Sequence, residues 1–122
     1  MRRYNPEDLP ELNRWYASRK LPHIDSDSLP LIGFIEPDVA AGFLYLTDSS
    51  LGIIEGVVAN PRASRESKDR ALDEIDGRIT QAARELGIKH LVAICASQAL
   101  LRRSEHLGYI EGAPATILTK RL

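Results

Sequence analysis

The apolar positions change period several times along the chain, and each change marks an element. Leu12, Trp15, Tyr16 and Arg19 recur at helical spacing behind an acidic, proline-bearing turn, Asp8-Leu9-Pro10-Glu11, which predicts one amphipathic helix near the start. Between Leu21 and Pro30, prolines and polar residues interrupt every period, so a loop with room for a short helical turn is expected. Leu31 to Ile35, Ala41 to Thr47 and Leu51 to Ala59 are rich in branched and aromatic residues and read as three strands. Their separators, Glu36-Pro37-Asp38 and Asp48-Ser49-Ser50, are too short for a crossover, so the strands should form an antiparallel meander.

Beyond Asn60-Pro61, a stripe at Ala71, Leu72, Ile75, Ile79, Ala82, Ala83 and Leu86 predicts a long helix that stops at Gly87. His90 to Ile94 is an apolar run without alternation, as in a strand covered on both faces and parallel to the one ending at Ala59. Ser97 can cap a further helix through Leu107 to Gly108, and Ala115 to Leu122 reads as a closing strand. The fold class is therefore α/β (α+β): a mixed, mainly antiparallel sheet flanked by helices.

Composition narrows this picture. A chain of 122 residues with 43% hydrophobic and 27% charged side chains suits one domain spanning 1–122. The formal charge of −1 offers no general field for nucleic acid or an anionic membrane, which disfavours nucleic acid as a partner, so an anion site has to be local. No apolar run approaches the roughly twenty residues of a membrane span. The single Cys95 and the polar start point to a reducing, cytoplasmic setting. The three histidines and Cys95 have no metal-ligand spacing, so no metal is expected.

Candidate chemistry gathers at the junction of the third strand and the long helix. A helix start leaves backbone N–H groups unpaired, and Arg62, Ser64, Arg65, Ser67 and Lys68 could cradle a phosphate there; alternatively, Ser64 or Ser67 simply caps the helix. A turn from strand to helix that faces a parallel strand is also where α/β sheets commonly hold cofactors. Glu55, a lone carboxylate in an apolar strand, is a candidate base or a structural ion-pair member. His23, followed by Asp25 and Asp27, could relay a proton or recognise a cation, or could be a solvated loop residue. Cys95, Trp15 and Tyr16 are expected in the core.

This order of elements resembles the GNAT family of CoA-dependent acyltransferases over nearly the whole chain. Arg3, Asp8, Leu9, Pro10 and Leu12 resemble the family's opening strand and helix, Val57 to Pro61 the end of its central strand, and Leu107-Gly108-Tyr109 the close of its last helix. Among members, the chain is similar to compact forms encoded by bacteriophages. The resemblance implies direct transfer of an acyl group from acetyl-CoA or another acyl-CoA to a small-molecule or protein amine. It places the cosubstrate on Val57, Val58, Ala59 and the 62–68 turn, with Ser97 at the start of the last helix. It also implies Glu55 as base, His23 on the acceptor side, and Ser104 where many relatives carry a tyrosine acid. The chain departs from the family in having no glycine in the turn, and in Ser97 and Ser104 where asparagine and tyrosine are usual. Those departures leave open a non-catalytic binding or inhibitory protein on the same fold, and Arg102-Arg103 with the Arg62, Arg65, Lys68 and Arg70 cluster leave open an acyltransferase acting on nucleic acid or a modified base. Free sheet edges are compatible with a homodimer.

Overall fold

Two helices on opposite faces of one sheet share out its apolar side chains, and a bulge in the sheet reverses the faces of the residues beyond it. The computed structural model describes residues 1–95 and 97–122. The strands are β1 (Arg2–Arg3), β2 (Ile32–Glu36), β3 (Ala40–Leu46), β4 (Leu51–Ala59) and β5 (His90–Ala93), in spatial order β1-β2-β3-β4-β5. All neighbours are antiparallel except β4 and β5. The helices are α1 (Leu9–Ser18), α2 (Arg65–Glu85) and α3 (Gln98–His106).

Each boundary has a local cause. Asn5 and Asp8 form a reciprocal capping box around the 3-10 turn Pro6–Asp8 that leads into α1. Ser64 caps α2 by accepting from the Ser67 amide, and Ser97 caps α3 by accepting from the Leu100 amide. Gly87 and Gly108, with φ of +77° and +92°, take the left-handed positions that end α2 and α3.

On one face, Ala71, Ile75, Ile79 and Ala83, four residues apart along α2, pack on Phe34, Leu44 and Ile54. Gly42 permits the close approach, since a Cβ there would lie 2.8 Å from the Ile75 methyl. On the other face, Leu12, Trp15 and Tyr16 of α1 pack on Ile35, Phe43 and Val58. Trp15 and Tyr16 are core residues, as expected.

Cys95, expected in the core, is only half-buried, and two expectations about strands also fail. The β5 strand is covered on one face only: Leu91 and Ala93 pack towards α2, whereas Val92 and Ile94 remain 42% and 41% exposed. The apolar run lacked alternation, so it could not reveal that α1 stops short of this edge. Ala115 to Leu122 forms no strand and lies exposed. Its bulky apolar residues Ile117 and Leu118 are adjacent, so in a strand they would point to opposite faces and give no single face to bury.

Gly33 lies opposite Phe43 across β2 and β3, and a Cβ there would overlap the Phe43 ring, which is already packed edge-on by Tyr4. Gly33→Ala should therefore displace the ring and destabilise the chain by about 1–3 kcal/mol, read as a lower urea midpoint at unchanged m.

Candidate functional site

A fork in the sheet creates the site. The β5 strand pairs with β4 only from Leu51 to Ile54, and the last contact is the Ile94 amide to the Ile54 carbonyl at 3.4 Å. Beyond Ile54, β4 continues for five residues without a strand on that side among the described residues. The cause is a bulge. Phe43 faces Glu55 and Ala41 faces Val58, so Gly56 and Val57 together oppose Gly42 alone. Gly56 takes φ +69°, a conformation costly for any residue with a Cβ. Its carbonyl leaves the ladder and accepts from the Tyr16 hydroxyl at 2.6 Å.

The extra residue reverses alternation. Glu55 faces the α1 side with Phe43, while Val57 packs towards α2. A regular strand would have put Glu55 and Val57 on one face. The ladder to β3 is held at Val58 and at the Asn60 amide, which donates to Val39 at 2.8 Å. Backbone alternation therefore turns the amide and carbonyl groups of Val57 and Ala59 to the open edge.

That edge borders a cleft of about 1250 Å³ lined by Val57, Val58, Ala59, Arg65, Lys68, Ser97, Arg102 and Arg103. This exceeds the usual size of a pocket for a drug-sized molecule and accommodates a longer ligand. Arg19 from the end of α1 and His106 from α3 add to its basic side. Asp69 and Asp73 are the acidic members, and both are engaged by Arg103, at 2.5 Å for Asp73. The uncompensated charge of the cleft is therefore positive. Where the fork closes, a smaller cavity of about 60 Å³ adjoins it, lined by Ile54, Ala93, Cys95, Ser104, Tyr109 and Asp76.

The turn into α2 is closed on itself. The Arg62 amide donates to the Asn60 side chain at 3.0 Å and the Ala63 amide to the Asn60 carbonyl at 3.1 Å. Ser64 and Ser67 hydrogen-bond each other at 2.8 Å, which completes the cap, and neither they nor Arg62 line the cleft. Arg65 and Lys68 do, one helical turn apart.

On the α1 side, half-buried Glu55 lies close enough to Tyr16 and Tyr45 that its charge helps burial hold both phenols above their ordinary range. Tyr45 donates to the Ser28 carbonyl at 3.2 Å, tying the loop before β2 to this face. Asn13 pins the same loop by exchanging two hydrogen bonds with the Ile24 backbone. His23 points outward, its side chain 73% exposed and 3.9 Å from Asp25, away from both cavities.

Ser104 donates to the Leu100 carbonyl at 2.8 Å and lies 3.6 Å from the Cys95 sulfur. The serine hydroxyl is thereby committed to its own helix. Arg103 and Tyr109, which ties to Asp76 at 2.7 Å, join α3 and its exit to α2. Spacing alone gave Arg103 no partner; the Asp69, Asp73, Asp76 row on α2 was the legible signal for it.

No family model and no curated protein matches this chain. Solved structures do. A Mycobacterium tuberculosis protein in complex with CoA and NLQ superposes with a TM-score of 0.69 at 23% identity, over 94% of this chain and 75% of that one. An acetyltransferase from Trypanosoma brucei gives 0.63 at 16% identity, over 98% and 97%. A Thermus thermophilus protein gives 0.64 at 13%, over 99% and 95%. The chain thus has the GNAT fold: a mainly antiparallel five-stranded sheet flanked by three helices.

Desolvation raises the Asp76 carboxyl above its ordinary value, against the lowering effect of the Tyr109 hydrogen bond. The folded state then holds this proton to higher pH than the unfolded chain does, so the contribution to stability is full below the ordinary aspartate value. It is lost as pH rises through the raised one. Asp76→Asn should remove that loss: the stability of the variant relative to wild type grows with pH across this window in urea titrations.

Proposed function

We propose that the protein is an N-acyltransferase that passes an acyl group from acyl-CoA directly to an amine. The observation that carries this reading is the fork, where a stretch of β4 with one open edge borders a long basic cleft on the GNAT fold. The pantetheine arm has amides spaced along an extended chain, and the Val57 and Ala59 backbone groups can pair with them as a further strand would. Arg65 and Lys68, at the positive start of α2, would face the pyrophosphate, with Arg102 and Arg19 available to the remaining phosphate.

The thioester would then lie at the closed end of the fork, beside the small apolar cavity, whose size suits a short acyl group such as acetyl. The amine would approach from the α1 side. Its nitrogen attacks the thioester carbonyl, the C–N bond forms as the C–S bond breaks, and Glu55 takes the amine proton directly or through water. The Val57 amide, nearest the closed end, would steady the developing oxyanion, which leaves the Val57 carbonyl and the Ala59 backbone groups to the pantetheine. Ser104 is tied to Leu100, so the leaving thiolate would take its proton from water. His23 keeps only an outer role, in drawing the acceptor to the loop. A small molecule or a protein side chain could supply the amine.

One observation favours a second reading, a GNAT-fold binding module without turnover: the turn into α2 spends the Arg62 and Ala63 amides on Asn60 and leaves fewer donors for phosphate.

Calorimetry with acetyl-CoA, CoA and adenosine 3′,5′-bisphosphate tests the cofactor. Saturable binding near 1 μM, about −8 kcal/mol, is expected, and no binding to folded protein would overturn the acyl-CoA reading. Arg65→Glu should weaken binding about tenfold or more without lowering the melting temperature. Glu55→Gln should reduce turnover by about 10²-fold while leaving acetyl-CoA affinity within about twofold. Tight binding with no acylation of any amine offered would favour the non-catalytic module.

A further inference from the structure

The role of Tyr16 goes beyond packing. Its ring is 1% exposed within the α1 cluster, so a core role accounts for the side chain up to its last atom. The hydroxyl is different: it crosses from α1 to β4 and donates to the Gly56 carbonyl at 2.6 Å. Gly56 is the residue that breaks the ladder, at φ +69°, and a Cβ there would lie 3.1 Å from both the Tyr16 hydroxyl and the Phe43 ring. A carbonyl turned out of a ladder into a protein interior needs a donor, and burying it unpaired is costly. Among the described residues, Tyr16 is the donor it has.

This bond fixes more than one carbonyl. The alternative way to satisfy the strand is to remove the bulge and re-pair β4 with β3 one residue out of step, which would turn Val58 away from the α1 cluster. The bulge and the Tyr16 bond therefore stand or fall together. The direction of every backbone group from Val57 to Ala59 depends on that bulge, whereas Glu55, paired with Phe43 before it, keeps its place on the α1 side. We propose that Tyr16 is the positioning residue of the acyl-donor site, holding the β4 bulge so that the Val57 and Ala59 backbone groups face the cleft. The inference rests on the acyl-CoA reading for its ligand, and on the Tyr16–Gly56 bond alone for its structural part.

Tyr16→Phe deletes one oxygen and keeps the ring. Ile35→Val, a small deletion in the same cluster, controls for general loosening. Binding is measured with CoA and with adenosine 3′,5′-bisphosphate, which has the phosphates but no pantetheine. The expected result for Tyr16→Phe is CoA affinity lowered about fivefold to tenfold, from the weakened pairing of two backbone groups, with bisphosphate affinity unchanged. For Ile35→Val, the ratio of the two affinities stays that of wild type. Equal loss for both ligands in Tyr16→Phe, or no loss for CoA, overturns the proposal.

Native-state hydrogen exchange reads the structural part without a ligand. In Tyr16→Phe the Glu55 and Val58 amides, which flank the bulge, lose protection while Ile75 and Ile79 on α2 retain theirs. In Ile35→Val all four move together. Unchanged protection at Glu55 and Val58 overturns the positioning role. If wild type binds no CoA, the acyl-CoA reading falls, and exchange still decides whether Tyr16 holds the bulge.

Discussion

One extra residue in β4 governs this molecule. Gly56 can adopt a left-handed conformation that other residues reach only with strain, and in doing so it lets two residues of β4 oppose one of β3. Two consequences follow. The pairing with β5 ends at Ile54, which opens the fork, and the alternation of side chains reverses, which sends Ile54 to the α2 core and Val58 to the α1 core. A regular strand would place residues 54 and 58 on the same face. The open edge and the division of the end of β4 between the two cores thus share one origin.

Around that fork the molecule divides its forces. The sheet, α1 and α2 are held by apolar burial. The α3 helix contains no fully buried residue and is joined to α2 through Arg103 with Asp69 and Asp73, and just beyond it through Tyr109 with Asp76. Exposed ion pairs contribute little to stability, so this side of the cleft is the part least secured by packing. That arrangement suits a wall that must admit a long, charged ligand. It also leaves Arg65 and Lys68 as the cations aimed at the cleft from the start of α2.

Chemistry and packing disagree at the turn before α2. The residues Arg62, Ser64 and Ser67 have the composition of a phosphate cradle, yet the Arg62 amide is satisfied by Asn60, the two serines by each other, and the helix end by Ser64. Helix capping and anion binding draw on the same few N–H groups, and here the side chains have taken several of them.

The elements were legible because each rests on short-range rules. Helical spacing from Ala71 to Ala83 gave α2, turn residues between β-branched runs gave the meander, and Ser64 and Ser97 were recognisable caps. The basic turn at residues 62–68 and the unusual Glu55 could be picked out from residue type alone. What the sequence could not supply is where those groups point. The Gly56 bulge reverses the face of every residue after it, yet Leu51 to Ala59 contains two glycines, and Gly52 sits in regular pairing, so a glycine there does not by itself announce a bulge. The partners of Arg103 and the bond from Tyr16 to Gly56 join segments 30 to 40 residues apart, and the exposure of Val92 and Ile94 depends on what covers the sheet's far face. Local propensity determined the pieces, and long-range strand pairing, apolar packing and the Tyr16–Gly56 hydrogen bond decided how they meet.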